Sequence, residues 1–398
     1  MHVIHVYSGC SPQKFYEYVE SKGQRIQQQA QKYNQLLLEG FKSCGAQVDA
    51  ISSRPINRSL TSQIFFKGET DSYQGIRYHY VPFFNLPVLR NISVLFSVFF
   101  RVMFMKTNRN DTALVCDALN ISGAMATLMA GKLRRMKTVG VVTDVPCHRP
   151  NNQKIPVHER INLQIMQKFD LYLLLTEQMS AVVNPKNKPY VVLEGHADTA
   201  MAQVLNTPEG KADKKICLYA GSLRKIYGIG NLVNGFIQAN VPNTELHVYG
   251  NGDFATELTE LTKQYPQIKY HGVAPNAEIV KAELAATLLV NPRPTGEDYT
   301  KYSFPSKNME YMASGTPILT TKLPGMPADH LPHVYLIEEE TADGIAAALR
   351  DLLTRDAAEL HAKGTAAKAF ILEEKNNVKQ AEKLLSLLDT LCKSKPLR

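Results

Sequence analysis

Apolar residues along this chain fall into two patterns, and the patterns alternate. Short, mostly apolar runs mark strands buried on both faces. In the first half these are Val3–Tyr7, Ala46–Ile51, Ile76–Pro82, Thr112–Cys116, Lys137–Val142, Leu171–Leu175 and Tyr190–Leu193. Between them run helical stripes, such as Ile26, Ala30, Tyr33, Leu37 and Phe41 on one face of Gln24–Phe41, with Gly45 as the stop. A second helix, rich in small residues, is predicted from Gly123 to Leu133. A polar, lysine-rich stretch, Asn206–Lys215, then interrupts the rhythm and reads first as an interdomain linker, with a surface loop inside one domain as the alternative. After it the alternation restarts, with strands predicted at Ile216–Tyr219, Glu245–Tyr249, Ile268–His271, Ala286–Val290 and Pro317–Thr320. Helices are predicted at Gly228–Asn240, Phe254–Gln264, Asn276–Leu284 and Lys307–Ser314. Two more fill the C-terminus, the last from about Asn377 to Leu391.

This order predicts an α/β protein built from two doubly wound, Rossmann-like domains with mostly parallel sheets. The expected division is 1–205 and 206–374, with a C-terminal helix over about 375–398 returning to the first domain. Open parallel sheets bind ligands at the carboxyl ends of their strands, so two such domains are expected to face each other across a ligand crevice.

Composition adds three constraints. The chain has 398 residues, too many for one ordinary core, and its 44% apolar and 21% charged content excludes wholesale disorder. A net charge of +8 favours acidic partners such as phosphates, nucleotides or an anionic lipid surface, while no RNA- or DNA-binding motif accompanies it. The six cysteines form no CxxC pair and no metal-ligand spacing with histidine, so neither disulfide nor metal is expected and the thiols fit a reducing, cytoplasmic setting. The N-terminus enters a strand directly, with no signal-peptide pattern.

Two segments of the second half can carry chemistry. In Tyr219-Ala220-Gly221-Ser222-Leu223, a strand meets a glycine that lets backbone approach a phosphate, with Arg224 and Lys225 in the same loop. A plain strand-to-helix turn has the same look, and Gly250-Asn251-Gly252 reads chiefly as a tight turn. The stronger segment begins at Asn291-Pro292-Arg293-Pro294 and continues through Tyr302-Ser303-Phe304-Pro305-Ser306-Lys307 to Glu310. Here Ser306 is expected to cap a short helix whose first amides, with Lys307 beside them, suit a leaving diphosphate. Glu310, one turn in, can accept both hydroxyls of a ribose, or simply stabilise the helix start.

The span Lys301–Pro317, KYSFPSKNMEYMASGTP, resembles the signature of glycosyltransferase family 4 (group 1 type), in the form seen in bacterial surface-polysaccharide transferases. Glu310 matches the family's second glutamate, Phe304 its aromatic and Gly315-Thr316-Pro317 its helix stop; YAGSLRKIYGI is similar to the phosphate loop and ELHVYGNG to the strand after it. The resemblance implies the two-domain GT-B fold, a nucleoside-diphosphate sugar as donor (UDP first), no cofactor, and transfer of a hexose-type sugar with retention to a glycan or lipid-linked acceptor. It also implies donor contacts from Gly221, Ser222, Arg224, Lys225, Gly250, Arg293, Tyr302, Phe304, Pro305, Ser306, Lys307 and Glu310. The chain departs from the pattern where Tyr302 stands at the first glutamate and Ser222 and Tyr227 stand at the phosphate loop's Arg and Lys. Glu297 and Asp298 are the nearest carboxylates to replace the former; Arg224, Lys225, Arg293 or Lys307 must supply the latter's charge.

In the first half, Gly23, opening the first long helix with Gln24 and Arg25, resembles the family's glycine loop near the donor. Asp144 and His148 follow a strand and join Lys307 and Glu310 as catalytic candidates; Asp117 ends another strand. The segment 86–106 is apolar around most of its circumference, with Phe96, Phe99, Phe100 and Phe104 among Arg90, Arg101, Lys106 and Arg109. It suits a peripheral contact with the inner face of the plasma membrane, and equally a core helix or dimer contact. Two other classes of reading compete: a nucleotide-sugar 2-epimerase-like enzyme on the same fold, and a non-catalytic nucleotide-sugar or membrane-surface binding protein.

Overall fold

The computed structural model describes residues 1–18, 28–145 and 156–393, which divide into two compact units: Met1–His196 with Asn377 onward, and Ala197–Asn376. Unit 1 begins β1 (His2–Tyr7), α1 (Pro12–Tyr18), α2 (Gln28–Ser43), β2 (Gln47–Ser52), β3 (Phe65–Phe66), β4 (Glu69–Tyr73), β5 (Ile76–Tyr80) and β6 (Phe83–Phe84). It continues α3 (Leu89–Phe104), β7 (Thr112–Asp117), α4 (Ile121–Arg134), β8 (Lys137–Val142), α5 (Val157–Met166), β9 (Leu171–Leu174), α6 (Met179–Val183) and β10 (Tyr190–Val192). Eight strands form one sheet in the order β10-β9-β8-β7-β1-β2-β5-β4. All its pairings are parallel except that of the edge strand β4 with β5. Strand order reverses between β1 and β7, which makes their carboxyl ends the switch point of this sheet.

Unit 2 runs β11 (Lys215–Ala220), α7 (Ile229–Ala239), β12 (Thr244–Tyr249), α8 (Ala255–Gln264), β13 (Ile268–Gly272), α9 (Asn276–Ala285) and β14 (Leu288–Asn291). Then come α10 (Ser306–Ser314), β15 (Ile318–Thr320), β16 (Tyr335–Leu336), α11 (Ala342–Thr354) and α12 (Ala357–Glu374). Its sheet has the order β13-β12-β11-β14-β15-β16, parallel throughout. The switch point lies between β11 and β14. The last helix, α13 (Asn377–Lys393), belongs to unit 1, where Ala381, Leu384 and Leu388 enter the core beside Leu37, Leu38 and Phe41.

The α/β class with two Rossmann-like units is what the pattern predicts. Three details differ. Asn206–Lys215 is not a linker but part of unit 2, and the division falls at 196/197 rather than 205/206. The reason is chemical. Asn206 donates to the Ser314 carbonyl and to Thr316 Oγ1, both at 2.9 Å, and Lys211 Nζ donates to the carbonyls of Leu284 and Ala286. Polar residues with internal partners look like a linker in sequence. Second, three helices follow β16 instead of two, because Asp356 caps a new helix by accepting from the amides of Ala358 and Glu359. Third, β4 and β16 escaped the hydrophobic pattern: ETDSY is polar, and Tyr335–Leu336 is only two residues long.

The core of unit 1 contains an unexpected polar network. Asp49, fully buried on β2, accepts from His2 (2.7 Å), His79 (2.6 Å) and Arg77 (2.6 Å). Burial alone would raise its carboxyl; these hydrogen bonds overcome burial and hold it well below the carboxylate range. Central strand β1 also carries His5, which is fully buried and bonded to Asn34 Oδ1 at 2.6 Å. Burial drives the imidazoles of His5 and His196 down to about 4. Both are neutral in the folded chain and take up a proton near pH 6.5 when unfolded. Their contribution is therefore complete above about pH 6.5 and is lost as pH falls toward about 4, at roughly 1.4 kcal/mol per pH unit for each. Urea unfolding of the full chain should show stability falling from about pH 6.5 to about pH 5, and His5→Gln should flatten that slope although it is less stable at neutral pH. A slope unchanged by the substitution would contradict the assignment.

Candidate functional site

At the switch point of unit 2, the loop after β11 meets the loops after β12 and β14. Contacts too close for a side chain make that meeting. Gly250, with φ +129°, lies so near Gly221 that a Cβ would stand 1.7 Å from its carbonyl oxygen. Gly228, with φ +78°, abuts the Pro292 carbonyl, where a Cβ would come within 2.2 Å. Backbone hydrogen bonds lock the first contact: Gly221 N to Tyr249 O (3.0 Å), Leu223 N to Asn251 O (2.9 Å) and Phe254 N to Leu223 O (3.0 Å). Gly250-Asn251-Gly252 is thus more than a tight turn; it is the surface on which the Gly221 loop is built.

Helix α10 is fastened to both loops from within. Tyr311, fully buried, reaches the end of β11: its hydroxyl accepts from Ala220 N at 2.8 Å and donates to Ala220 O at 3.3 Å. Asn308, also buried, accepts from Asn291 Nδ2 at 2.6 Å and donates to Thr320 Oγ1 at 3.4 Å, tying α10 to β14 and β15. Neither residue was assigned a role from sequence; for Asn308 a polar side chain three residues after a proline-led helix start was the available signal, and for Tyr311 there was none.

The expected cap is corrected. Pro305 is the N-cap and Ser306 the first helical residue, exposed and without a capping bond. Proline holds the extended backbone of a cap but offers no side-chain acceptor, so the helix start keeps donors to spare. Asn308 N bonds to Pro305 O, and among the described backbone hydrogen bonds none starts from Ser306 N or Lys307 N. Beside them Lys307 Nζ and Glu310 Oε2 pair at 2.9 Å, each side chain about a quarter exposed.

Cationic groups are distributed unequally. Lys225 leaves the loop's inner side, pairing with Glu257 of α8 at 2.7 Å. Arg224 is exposed and stacks over Tyr227, 5.5 Å from the ring centre. Arg293, two residues after β14, has its guanidinium over the ring of Tyr227 (4.6 Å) and that of Tyr299 (5.0 Å), and its buried Nε has no hydrogen-bond partner among the described residues. A guanidinium in contact with two aromatic rings loses conformational freedom.

Other predicted contacts separate. Phe304 is core, packed with Met309 and Met312 and edge-on to His330, so it supports the loop and does not line it. Ser222 is exposed on the loop, and Tyr302 closes a short 3₁₀ turn, Asp298–Tyr302. Asp298 pairs with Lys301 at the surface (3.2 Å). In unit 1, Asp144 follows β8, is exposed, and accepts from Val145 N at 2.7 Å. Asp117 ends β7 at that unit's switch point; burial lifts its carboxyl to about 6 against a hydrogen bond from Leu119 N. Gly23 and His148 lie outside the described residues.

Residues 214–355, nearly all of this loop-bearing sheet and its helices, match the family described as Glycosyl transferases group 1. No match was found among curated proteins. Solved structures share the fold over the whole chain. A sucrose-phosphate synthase from Thermosynechococcus elongatus has a TM-score of 0.67 at 14% identity, covering 99% of this chain and all of its own. Anabaena HepE in complex with UDP has 0.65 at 12%, covering 98% and 100%. The lipopolysaccharide outer core galactosyltransferase WaaB has 0.62 at 13%, again 98% and 100%. The fold is that of GT-B enzymes, and with the family match the chain is a glycosyltransferase.

Two substitutions test whether the loops depend on these contacts. Tyr311→Phe leaves the buried Ala220 amide without its acceptor and should cost about 1–3 kcal/mol in urea unfolding. Gly228→Ala combines a left-handed backbone with a clash and should cost more, above about 2 kcal/mol. Near-neutral results for both would mean that the loops are held by other contacts.

Proposed function

We propose that this chain transfers a hexose-type sugar, with retention, from a nucleoside-diphosphate sugar to a glycan or lipid-linked acceptor in surface-polysaccharide or glycolipid synthesis in the bacterial cytoplasm. The observation that carries the reading is the convergence at the unit 2 switch point: unpaired amides at the start of α10, the Lys307–Glu310 pair, and an immobilised Arg293. UDP is the first nucleotide to test; Anabaena HepE, of the same fold, has a solved complex with it.

Each group has a task in this reading. Arg293 and the amides of Ser306 and Lys307 receive the diphosphate, whose charge grows as the sugar leaves. Glu310 accepts the ribose hydroxyls and in doing so frees Lys307 to turn to phosphate. The acceptor hydroxyl attacks the anomeric carbon on the face from which the diphosphate departs. The departing phosphate oxygen takes the acceptor's proton, so the bond made and the bond broken share one face and no separate base is consumed. Basic side chains and helix amides do the work that a divalent cation does elsewhere. In unit 1, acceptor contacts are assigned to the carboxyl ends of β7 and β8, where Asp117 and Asp144 stand.

A thermal-shift screen of UDP-, GDP-, dTDP- and ADP-sugars tests the reading. One donor should raise the melting temperature of the wild type. Arg293→Ala and Glu310→Ala should each weaken that donor's binding by about 10- to 100-fold, the value of a charge-assisted hydrogen bond. Equal shifts for wild type and both variants would remove the site, and inversion of the anomeric centre in the NMR-analysed product would remove the mechanism.

A further inference from the structure

Helix α3 is built inside out. Its inward residues are the modest Val94, Val98 and Val102, while its outward arc carries Leu89, Ile92, Phe96, Phe100 and Phe104. Phe96 and Phe100 are about half exposed and Phe104 is 80% exposed. The three rings stack in a row, with centroids 6.4 and 6.2 Å apart. A surface helix normally turns charge to water; over a length of about 24 Å the one charge this helix exposes is Arg101, at the flank of the apolar arc.

The apolar face continues onto α4, which packs on α3 and exposes Met125, Met129 and Leu133 at four-residue spacing. Arg134 joins the C-terminal ends of the two helices, donating to the Val102 carbonyl at 2.5 Å and to Thr107 Oγ1 at 2.7 Å. Lys106, Arg109, Lys132 and Arg135 are all exposed around that junction. No acidic residue occurs from Phe83 to Asn110 or from Ala118 to Thr143. A fixed cation flanks the stripe as well: Arg101 is bonded to His79, which is bonded to buried Asp49. A groove of about 530 Å³ opens there, with the three phenylalanines along one wall and Arg101, His79 and Thr70 also lining it; its acid, Glu69, is neutralised by Lys14 (2.8 Å) and Arg54 (3.0 Å).

We propose that α3 and α4 form a docking face for an anionic lipid bilayer, with the aromatic row in the acyl boundary and the basic junction among the headgroups. Charge complementarity selects this occupant: a large apolar surface bordered by one sign of charge fits a negatively charged membrane surface. None of the described helices is long and apolar enough to cross a membrane, so the contact is peripheral. The proposal deepens the lipid-linked acceptor reading but stands on unit 1 alone.

The full chain is sedimented with vesicles of phosphatidylcholine and of phosphatidylcholine mixed with phosphatidylglycerol, at low and high salt. Wild type should partition to the mixed vesicles, less so at high salt. The triple variant Phe96→Ser, Phe100→Ser, Phe104→Ser should lose at least about tenfold in partition. The triple variant Lys106→Gln, Lys132→Gln, Arg135→Gln should lose about fivefold per charge and keep the aromatic row intact. None of these six side chains belongs to the donor site, so the donor-induced thermal shift should persist in both variants, which also reports that they fold. Failure of wild type to bind mixed vesicles, or unchanged partition in both variants, overturns the proposal while leaving the donor reading untouched. A wild-type dimer by light scattering that the serine variant abolishes, without vesicle binding, would reassign the face to a second copy of the chain. Vesicle binding with no donor shift would sink the functional reading and spare this one.

Discussion

The site in unit 2 rests on backbone meeting backbone. The loop after β11 can be read as a phosphate loop only because Gly221 sits against Gly250, and the loop after β14 comes alongside only because Gly228 yields to the Pro292 carbonyl. Each contact excludes any other residue on steric grounds. The result is a rigid edge at the switch point of the sheet, where neighbouring strands send their connections in opposite directions and leave room for a ligand. Tyr311 and Asn308 then lock α10 onto that edge through hydrogen bonds buried beneath it. A helix start fixed this way presents its amides without paying for their ordering when a ligand arrives.

Unit 1 uses the opposite material for a similar end. Its sheet centre holds charge: Asp49 gathers His2, His79 and Arg77, and His79 in turn anchors Arg101. A buried carboxylate with three donors is costly to disturb, because removing one partner leaves the charge under-compensated. The network therefore fixes β5 against β2 and sets Arg101 at the flank of α3. It connects the interior of the sheet to a helix whose exposed side is largely apolar.

Sequence made some of this plain and hid the rest, for physical reasons. Solid apolar runs such as VIHVY and KICLYA announce strands because parallel strands are buried on both faces. Short amphipathic stretches between them announce helices. Position on the predicted helix start put Lys307 and Glu310 on one face, since residues three apart are neighbours there; their expected roles came with the family resemblance. What stayed hidden was polarity with an internal partner. Asn206 and Lys211 looked like linker because nothing in sequence reveals the carbonyls that receive them, and burial holds the Lys211 amine down to about 8. Ser306 looked like a cap because serine favours that position, whereas the preceding proline's extended backbone already fills it. Phe304 looked like a ligand contact and proved to be the core's.

The most instructive departure is where the positive charge went. Tyr227 stands where the family resemblance puts a lysine, and Lys225 is spent on Glu257. In the proposed reading, the cation missing from one loop is supplied by the other: Arg293, two residues after β14, sets its guanidinium over the rings of Tyr227 and Tyr299. The exchange is geometrically coupled. An aromatic ring at 227 is what holds a guanidinium arriving from the neighbouring strand, and the close passage of the two loops at Gly228 is what lets it arrive. A lysine brings a mobile point charge, whereas a stacked arginine brings a planar one whose donors are already oriented. Under the proposed function this pattern is self-consistent as a relocated phosphate anchor, and the ring and the arginine should be tolerated only together.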